Sequence, residues 1–235
     1  GKTWVEQLGQ AIGLQRSTGP SARNPAVFSN YAIGSSRARD GTGRPSASEQ
    51  VAQYLTFTGG TASADTLYLF GFGGNDVRDA LVAEDPSIIA DAVNAIADNL
   101  LSLCTSGARD IIVVNVGNVG IIPIVQTLGE PAISGATALS AGLNNAVQEA
   151  IDDALQVLCP ETRFAVLDLF GLSTAVFTDP QAFGFDSVEP CLTFGVTANA
   201  ICTQPSSTFF WDGLHPTSAG HALIAEQALQ VLDGP

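Results

Sequence analysis

Residues 66–76 read TLYLFGFGGND, an apolar run that stops at glycine and is followed by Asn75 and Asp76. A short, continuous apolar run is typical of a strand buried on both faces of a parallel sheet. The sequence therefore predicts a buried strand here. By similar signals, further strands are predicted at AVFSNYAI (26–33), DIIVVNV (110–116) and RFAVLDLF (163–170).

Helical patterns separate these predicted strands. Capping-box spacing and apolar periodicity predict helices near 4–12, 47–58, 87–106 and 137–158 and after 216. Strands that alternate with helices indicate an α/β protein, a doubly wound α/β/α sandwich with a mainly parallel sheet. Because the sequence contains no clear linker or repeat, we expect a single domain over residues 1–235.

The chain is strongly acidic, with 23 acidic against nine basic residues and a net charge of −14. This charge repels phosphate backbones and anionic membrane surfaces, which argues against nucleic acid as a partner. No apolar run is predicted to be long enough to span a bilayer. The chain contains no methionine, so we expect the natural product to extend upstream of residue 1.

Four cysteines allow three disulfide pairings. Cys191 and Cys202 bracket a short loop, whereas Cys104 and Cys159 each end a predicted helix just before a predicted strand. These positions favour the pairs Cys104–Cys159 and Cys191–Cys202, which indicate an oxidising compartment. Four reduced, buried thiols are the alternative, and the spacings match no zinc motif.

The stretch FFWDGLHPTSAGH (209–221) places Asp212 three residues before His215. His215 has the chemistry of a general base, and Asp212 that of the group that fixes its tautomer and stabilises the imidazolium. The same spacing also occurs in ordinary loops, where the aspartate caps a turn. The other histidine, His221, falls within the predicted last helix and is interpreted as structural.

Other polar candidates follow predicted strands, and ligands of open parallel sheets bind beyond the carboxyl ends of the strands. The side-chain amide of Asn75 suits an oxyanion donor, and the backbone at Gly34 and Ser35 is the second candidate. The alternative for each is an ordinary bend at the end of a strand.

Three segments in this order, NYAIGSSRA (30–38), FGFGGNDV (70–77) and FFWDGLHPTSAGH (209–221), resemble sequence blocks of the GDSL or SGNH esterase/lipase family. The likeness extends over nearly the whole chain. It implies an SGNH-hydrolase-like, flavodoxin-like fold and a secreted, cell-surface or periplasmic serine hydrolase of small-molecule or lipid esters, with no metal or cofactor. It further implies that His215 is the base, Asp212 its orienting group, and Asn75 an oxyanion donor together with the backbone of Gly34 or Ser35.

The family places its nucleophilic serine in a Gly-Asp-Ser motif after the first strand, and this tripeptide is absent from residues 1–235. We therefore expect the serine and its strand to lie upstream of residue 1, and the 235-residue chain alone to show little or no turnover. One alternative is a shortened relative that binds acyl or glycan ligands without cleaving them. Another is a partner-binding protein whose missing strand is supplied in trans.

Overall fold

The structure, a computed structural model, describes residues 1–193 and 201–234. The chain divides into two compact units, each built from separate stretches. The first unit comprises Gly1–Asn30, Gly120–Ser134 and Gly171–Pro235, and the second comprises Tyr31–Val119 and Gly135–Phe170. The single domain expected from the sequence stays a prediction.

The second unit contains a parallel sheet of three strands in the order β1-β2-β3. Their bounds are Leu67–Phe70 for β1, Asp110–Val114 for β2 and Arg163–Leu167 for β3. Ile111 and Ile112 of the middle strand are fully buried, as expected for a strand that has a neighbour on each side. The predicted α/β class is therefore confirmed, and so are three of the four predicted strands.

The predicted strand at 26–33 is wrong. The chain turns at Asn24, whose carbonyl oxygen accepts hydrogen bonds from the backbone N–H groups of Val27 and Phe28. Asn30 then forms an isolated bridge with Pro20 and does not join the sheet. Asn-Pro favours a turn, and this local pairing outweighs the β propensity of the apolar residues that follow.

The helices of the second unit include α2 (Ala47–Phe57), α3 (Gly74–Ala83) and α4 (Ser87–Thr105). The predicted capping box at the start of α2 is present. The predicted helix at 137–158 instead begins as α6 (Glu130–Ala150) and continues through a π-helical turn (Ile151–Leu155) into α7 (Gln156–Leu158). It starts earlier than predicted, and Pro131 occupies its first turn, where proline is tolerated.

Helix α4 is the one helix in the described part of the chain that is long and apolar enough to cross a bilayer, by length and composition only. On that measure the expectation that no run would be long enough does not hold. Its Ile96 and Leu100 are buried, and the helix contacts α2 and α3. Buried core helices can have the same length and apolar composition, so these properties of α4 are weak evidence for a membrane span.

In the first unit, α1 (Trp4–Ala11) packs against the last helix, α9 (Ser218–Asp233). The predicted capping box between Thr3 and Glu6 is present at the start of α1. This unit also includes α5 (Pro123–Gln126), the first residues of α6 and most of α8 (Leu169–Thr178), with 3₁₀ turns at Val119–Ile121, Pro180–Phe183 and Pro205–Ser207.

Two disulfides join the four cysteines in the pairs that their positions favour. Cys104 is bonded to Cys159 in the second unit, and Cys191 to Cys202 in the first. Cys104 is the penultimate residue of α4, and Cys159 directly follows α7. Each therefore lies where a helix gives way to the segment that leads into a strand, as the sequence indicated.

Candidate active site

Asp212 and His215 lie on a tight turn of the first unit. Phe210 and Pro216 form an antiparallel bridge across the base of this turn. The backbone N–H of Trp211 donates to the carbonyl oxygen of His215 at 2.7 Å. The turn is thus closed by backbone hydrogen bonds, and the segment after it leads directly into α9.

The Asp212 carboxylate binds both the backbone and the ring of His215. Oδ1 accepts hydrogen bonds from the backbone N–H groups of Leu214 at 2.8 Å and His215 at 2.7 Å. Oδ2 lies 2.9 Å from the ring Nδ1 of His215. Burial alone would raise the pKa of Asp212, but the hydrogen bonds from His215 and Leu214 outweigh it and hold that pKa below its usual value.

These contacts leave the far side of the imidazole open. The His215 side chain is 69% exposed, whereas that of Asp212 is 12% exposed. In the described part of its own unit, no residue forms a hydrogen bond with Nε2 of His215. A buried carboxylate on Nδ1 and an accessible Nε2 are the arrangement that a general base requires.

Two neighbouring segments hold this turn in place. The backbone N–H of Ile124 donates to the carbonyl oxygen of Gly213 at 3.1 Å. On the other side, the N–H groups of Cys191 and Leu192 donate to the carbonyl oxygens of Phe210 and Trp211. Cys191, which is bonded to Cys202, and Leu192 thus support the strand-like segment that leads to Asp212.

Asn75 lies in the second unit, as the second residue of α3. Its side-chain Nδ2 donates one hydrogen bond to the carbonyl oxygen of Ser36 at 2.9 Å. A carboxamide has two N–H donors, so this contact fixes the orientation of the amide and uses one of its two donors. The structure therefore places Asn75 beside the loop that carries the other predicted donors.

Gly34 and Ser35 are exposed on that loop. The sequence predicted that they directly follow a strand. This prediction is wrong, because the segment before them is irregular. Ser35 has a left-handed backbone conformation, with φ of 66°. Within the described part of their unit, the backbone N–H groups of Gly34 and Ser35 have no hydrogen-bond partner, so they remain candidates for oxyanion donors.

Sequence reasoning missed the side chains that hold this loop. Buried Gln50 accepts a hydrogen bond from the backbone N–H of Ile33 at 3.2 Å and donates to the Ser36 hydroxyl at 2.9 Å. Asp76, fully buried directly after Asn75, accepts from the backbone N–H of Ala38 at 2.9 Å. The position of Asp76 in the polar pair 75–76, directly after a predicted strand, was a sequence signal for its contact. No sequence signal indicated the role of Gln50.

Two arginines complete the loop contacts. Arg37 forms a bidentate ion pair with Asp79, and Arg39 pairs with both Asp79 and Asp76. Hydrogen bonds from Arg37 hold the pKa of Asp79 below its usual value, whereas burial raises the pKa of Asp76. The sequence signal for these ion pairs was SSRARD (35–40), in which two of the nine basic residues of the chain are separated by a single residue.

Two asparagines that follow β2, Asn115 and Asn118, form hydrogen bonds that hold the surrounding structure together. Asn115 donates from Nδ2 to Asp168 and accepts from the backbone N–H of Phe170, each at 2.9 Å. Asn118 accepts a hydrogen bond from the hydroxyl of Thr137. Asn115 thus ties the ends of β2 and β3, and Asn118 ties its loop to α6.

His221 lies on α9 with its ring partly buried. Burial lowers its pKa, and the neighbouring charge of His215 acts in the same direction. Its buried Nδ1 has no hydrogen-bond partner in the described part of the chain. Among the same described residues, no group of three or more His, Cys, Asp or Glu side chains is arranged to hold a metal ion.

Comparison with known proteins adds to this geometry. The family model described as GDSL-like lipase/acylhydrolase matches residues 1–228. Among similar proteins of Arabidopsis thaliana, GDSL esterase/lipase At1g74460 is 25% identical, over 72% of this chain and 51% of its own length. At1g33811, of the same description, is 24% identical over 96% of this chain and 74% of its own length. The chain thus spans about half of the first relative and three quarters of the second.

Proposed function

Because the chain belongs to the GDSL-like lipase/acylhydrolase family, we propose that it hydrolyses carboxylic esters with His215 as general base and Asp212 as its orienting group. The observation that carries this proposal is the contact between Asp212 and Nδ1 of His215. It fixes the tautomer in which Nε2 carries the lone pair, and Nε2 belongs to a largely exposed ring.

The proposed reaction has two steps. A serine hydroxyl attacks the ester carbonyl carbon while Nε2 of His215 takes the hydroxyl proton, and the imidazolium then gives that proton to the departing alcohol. Water attacks the resulting acyl-enzyme, again losing its proton to Nε2, and the proton returns to the serine as the carboxylic acid leaves. Asp212 stays ionised throughout, which agrees with the lowered pKa of its carboxyl.

The negative charge that develops on the carbonyl oxygen needs donors that are already in place. We assign this role to the second N–H of the Asn75 amide, because its first N–H is bonded to Ser36 and holds the amide in one orientation. The backbone N–H groups of Ser35 and Gly34 supply the remaining donors. None of these groups has to reorganise when the charge forms.

The nucleophile of the proposal remains the serine of a Gly-Asp-Ser motif, which does not occur in residues 1–235. Labelling of the native protein with a serine-directed probe identifies the peptide that carries it. The substrate class is a small-molecule or lipid ester. Because disulfides persist mainly in oxidising surroundings, we also propose that the protein is secreted, periplasmic or located at the cell surface.

The test is the initial rate of hydrolysis of p-nitrophenyl esters by the full-length protein and two histidine variants. The chain has two histidines, so His221→Gln is a matched control for His215→Ala. We expect His215→Ala to lower kcat by about a thousandfold or more, and His221→Gln to keep it. Hydrolysis that persists in His215→Ala would refute the proposal. Ester binding by wild type without hydrolysis would instead favour the non-catalytic binding protein.

A further inference from the structure

The loop at 34–38 contains a hydrogen bond that the proposed mechanism does not use. Nη1 of Arg37 donates to the carbonyl oxygen of Ser35 at 2.7 Å. Ser35 has φ of 66°, a conformation that is unfavourable for any residue with a Cβ atom. The Ser35 carbonyl is thus bonded to a cation at the one position of the loop where the backbone needs stabilisation.

Asp79 fixes the guanidinium that makes this contact. Nε and Nη2 of Arg37 donate to the two carboxylate oxygens of Asp79 at 2.9 Å and 2.8 Å. The Arg37 side chain is only 14% exposed. A planar bidentate pair allows little rotation, so the remaining Nη1 is held in the direction of Ser35.

Helix α3 carries two of the residues that hold the loop. Asn75 and Asp79 are four residues apart on α3, a separation that places side chains on one face of a helix. Asn75 bonds the carbonyl oxygen of Ser36, while Asp79 acts on the carbonyl oxygen of Ser35 through Arg37. Helix α3 therefore sets the side-chain donor and the conformation of the neighbouring backbone together.

We propose that Arg37 is a positioning residue for ester hydrolysis: held by Asp79, it keeps Ser35 in the left-handed conformation that presents the Gly34 and Ser35 N–H groups beside Asn75. This inference rests on the proposed function, because it assigns those N–H groups to the oxyanion. Arg37 itself touches neither the substrate nor the reacting atoms. Its effect passes through the backbone of one residue.

The conformation can be tested by substituting Ser35, because glycine adopts positive φ without penalty. In the full-length protein, we expect Arg37→Ala to lower kcat for p-nitrophenyl ester hydrolysis about tenfold, with little change in KM. In the Ser35→Gly background, the same Arg37→Ala change should alter kcat by less than about twofold. An equal loss of kcat in both backgrounds would overturn the proposal, as would full activity of Arg37→Ala.

A matched control removes another arginine ion pair of the same unit. Nη2 of Arg109 lies 3.0 Å from the Glu161 carboxylate, and neither residue belongs to the loop. We expect Arg109→Ala to leave kcat unchanged in both backgrounds. A loss of activity there equal to that of Arg37→Ala would mean that any lost ion pair has this effect, and it would contradict the specific role of Arg37.

A second readout does not depend on activity. Amide hydrogen exchange of the peptide that covers residues 33–38 should accelerate in Arg37→Ala and stay unchanged in Arg109→Ala, measured by mass spectrometry. If wild type fails to hydrolyse esters, the proposed function fails, whereas the exchange result still shows whether Arg37 holds the loop. Unchanged exchange in Arg37→Ala would overturn the positioning role on its own.

Discussion

Oδ2 of Asp212 lies 2.9 Å from Nδ1 of His215, and Oδ1 of the same carboxylate binds the backbone N–H of His215 at 2.7 Å. One side chain therefore fixes both the position and the ring of the histidine. The turn is specified locally, since both residues lie in one short stretch, and this is why the sequence alone predicted the contact.

Asp212→Asn tests the tautomer. An asparagine in this position can turn its NH₂ group toward Nδ1, which favours the tautomer that carries its proton on Nε2 and cannot accept one there. We expect kcat to fall about 10⁴-fold with little change in KM, measured as initial rates on a p-nitrophenyl ester. A kcat within tenfold of wild type would show that the carboxylate is not needed to orient the base.

Acid should remove the contribution of Asp212 to stability. Because the folded state lowers the pKa of this carboxyl, its stabilising effect is present above the unfolded pKa of about 4 and is lost as the pH falls through the folded value. Urea unfolding should show Asp212→Asn less stable than wild type by about 2 kcal/mol near neutral pH, with a smaller difference below about pH 4. A difference that does not change with pH would contradict the assigned cause. Exposed Asp65→Asn is the control.

Asn75→Ala tests the oxyanion donor. The proposed N–H acts mainly in the transition state, so kcat should fall about 10²- to 10³-fold while KM changes little. The control is Asn99→Ala, which removes two hydrogen bonds from a buried amide on α4. We expect that variant to unfold at lower denaturant concentration and to keep its kcat. Equal losses of kcat in the two variants would argue against a specific role of Asn75.

Alanine substitutions at the two adjacent glycines before Asn75 should have different effects on stability. Gly73 has φ of 114°, and a Cβ atom there would lie 2.8 Å from Val116. Gly74 begins α3, and a Cβ atom there meets nothing closer than 4.0 Å. We expect Gly73→Ala to cost about 2–4 kcal/mol in unfolding free energy and Gly74→Ala to be neutral or slightly stabilising. The reverse order in denaturant unfolding would contradict the described geometry.

Removing either disulfide should lower stability, but only one of the two removals should lower activity. Loop-closure entropy predicts a loss of about 4 kcal/mol for the Cys104→Ala/Cys159→Ala variant and about 3 kcal/mol for Cys191→Ala/Cys202→Ala, since the closed loops span 55 and 11 residues. The shorter loop supports the backbone at 210–211. We therefore expect only its removal to lower kcat under conditions where both variants are folded. An unchanged kcat in Cys191→Ala/Cys202→Ala would show that the turn with Asp212 and His215 keeps its conformation without this disulfide.

The sequence predicted the elements whose signals are local. The three strands of the sheet, both capping boxes and the contact between Asp212 and His215 each depend on a few consecutive residues or on neighbours in one turn. The position of Asn75 after β1 followed from the same kind of signal. These features survive folding because no distant contact competes with them.

The sequence did not predict features that depend on distant partners. Residues 26–33 have the composition of a strand, but their backbone pairs with residues 17–21 through hydrogen bonds such as that from Ser29 to Ser17. The left-handed Ser35 and its support by Arg37 and Asp79 join residues more than 40 positions apart. The two arginines of SSRARD indicate a charged loop, but no periodicity or motif identifies Asp79 as their partner or Ser35 as left-handed, so only the folded chain displays these contacts.

Labelling with a fluorophosphonate probe tests the central claim most directly. The native, full-length protein and its His215→Ala and His221→Gln variants are treated with the probe, and the adduct is located by intact-mass measurement and peptide mapping. We predict one adduct on a serine, formed by wild type and His221→Gln and abolished in His215→Ala. Labelling that is unaffected by His215→Ala, or no adduct on a protein that hydrolyses esters, would contradict the assignment of His215 as the base of a serine esterase.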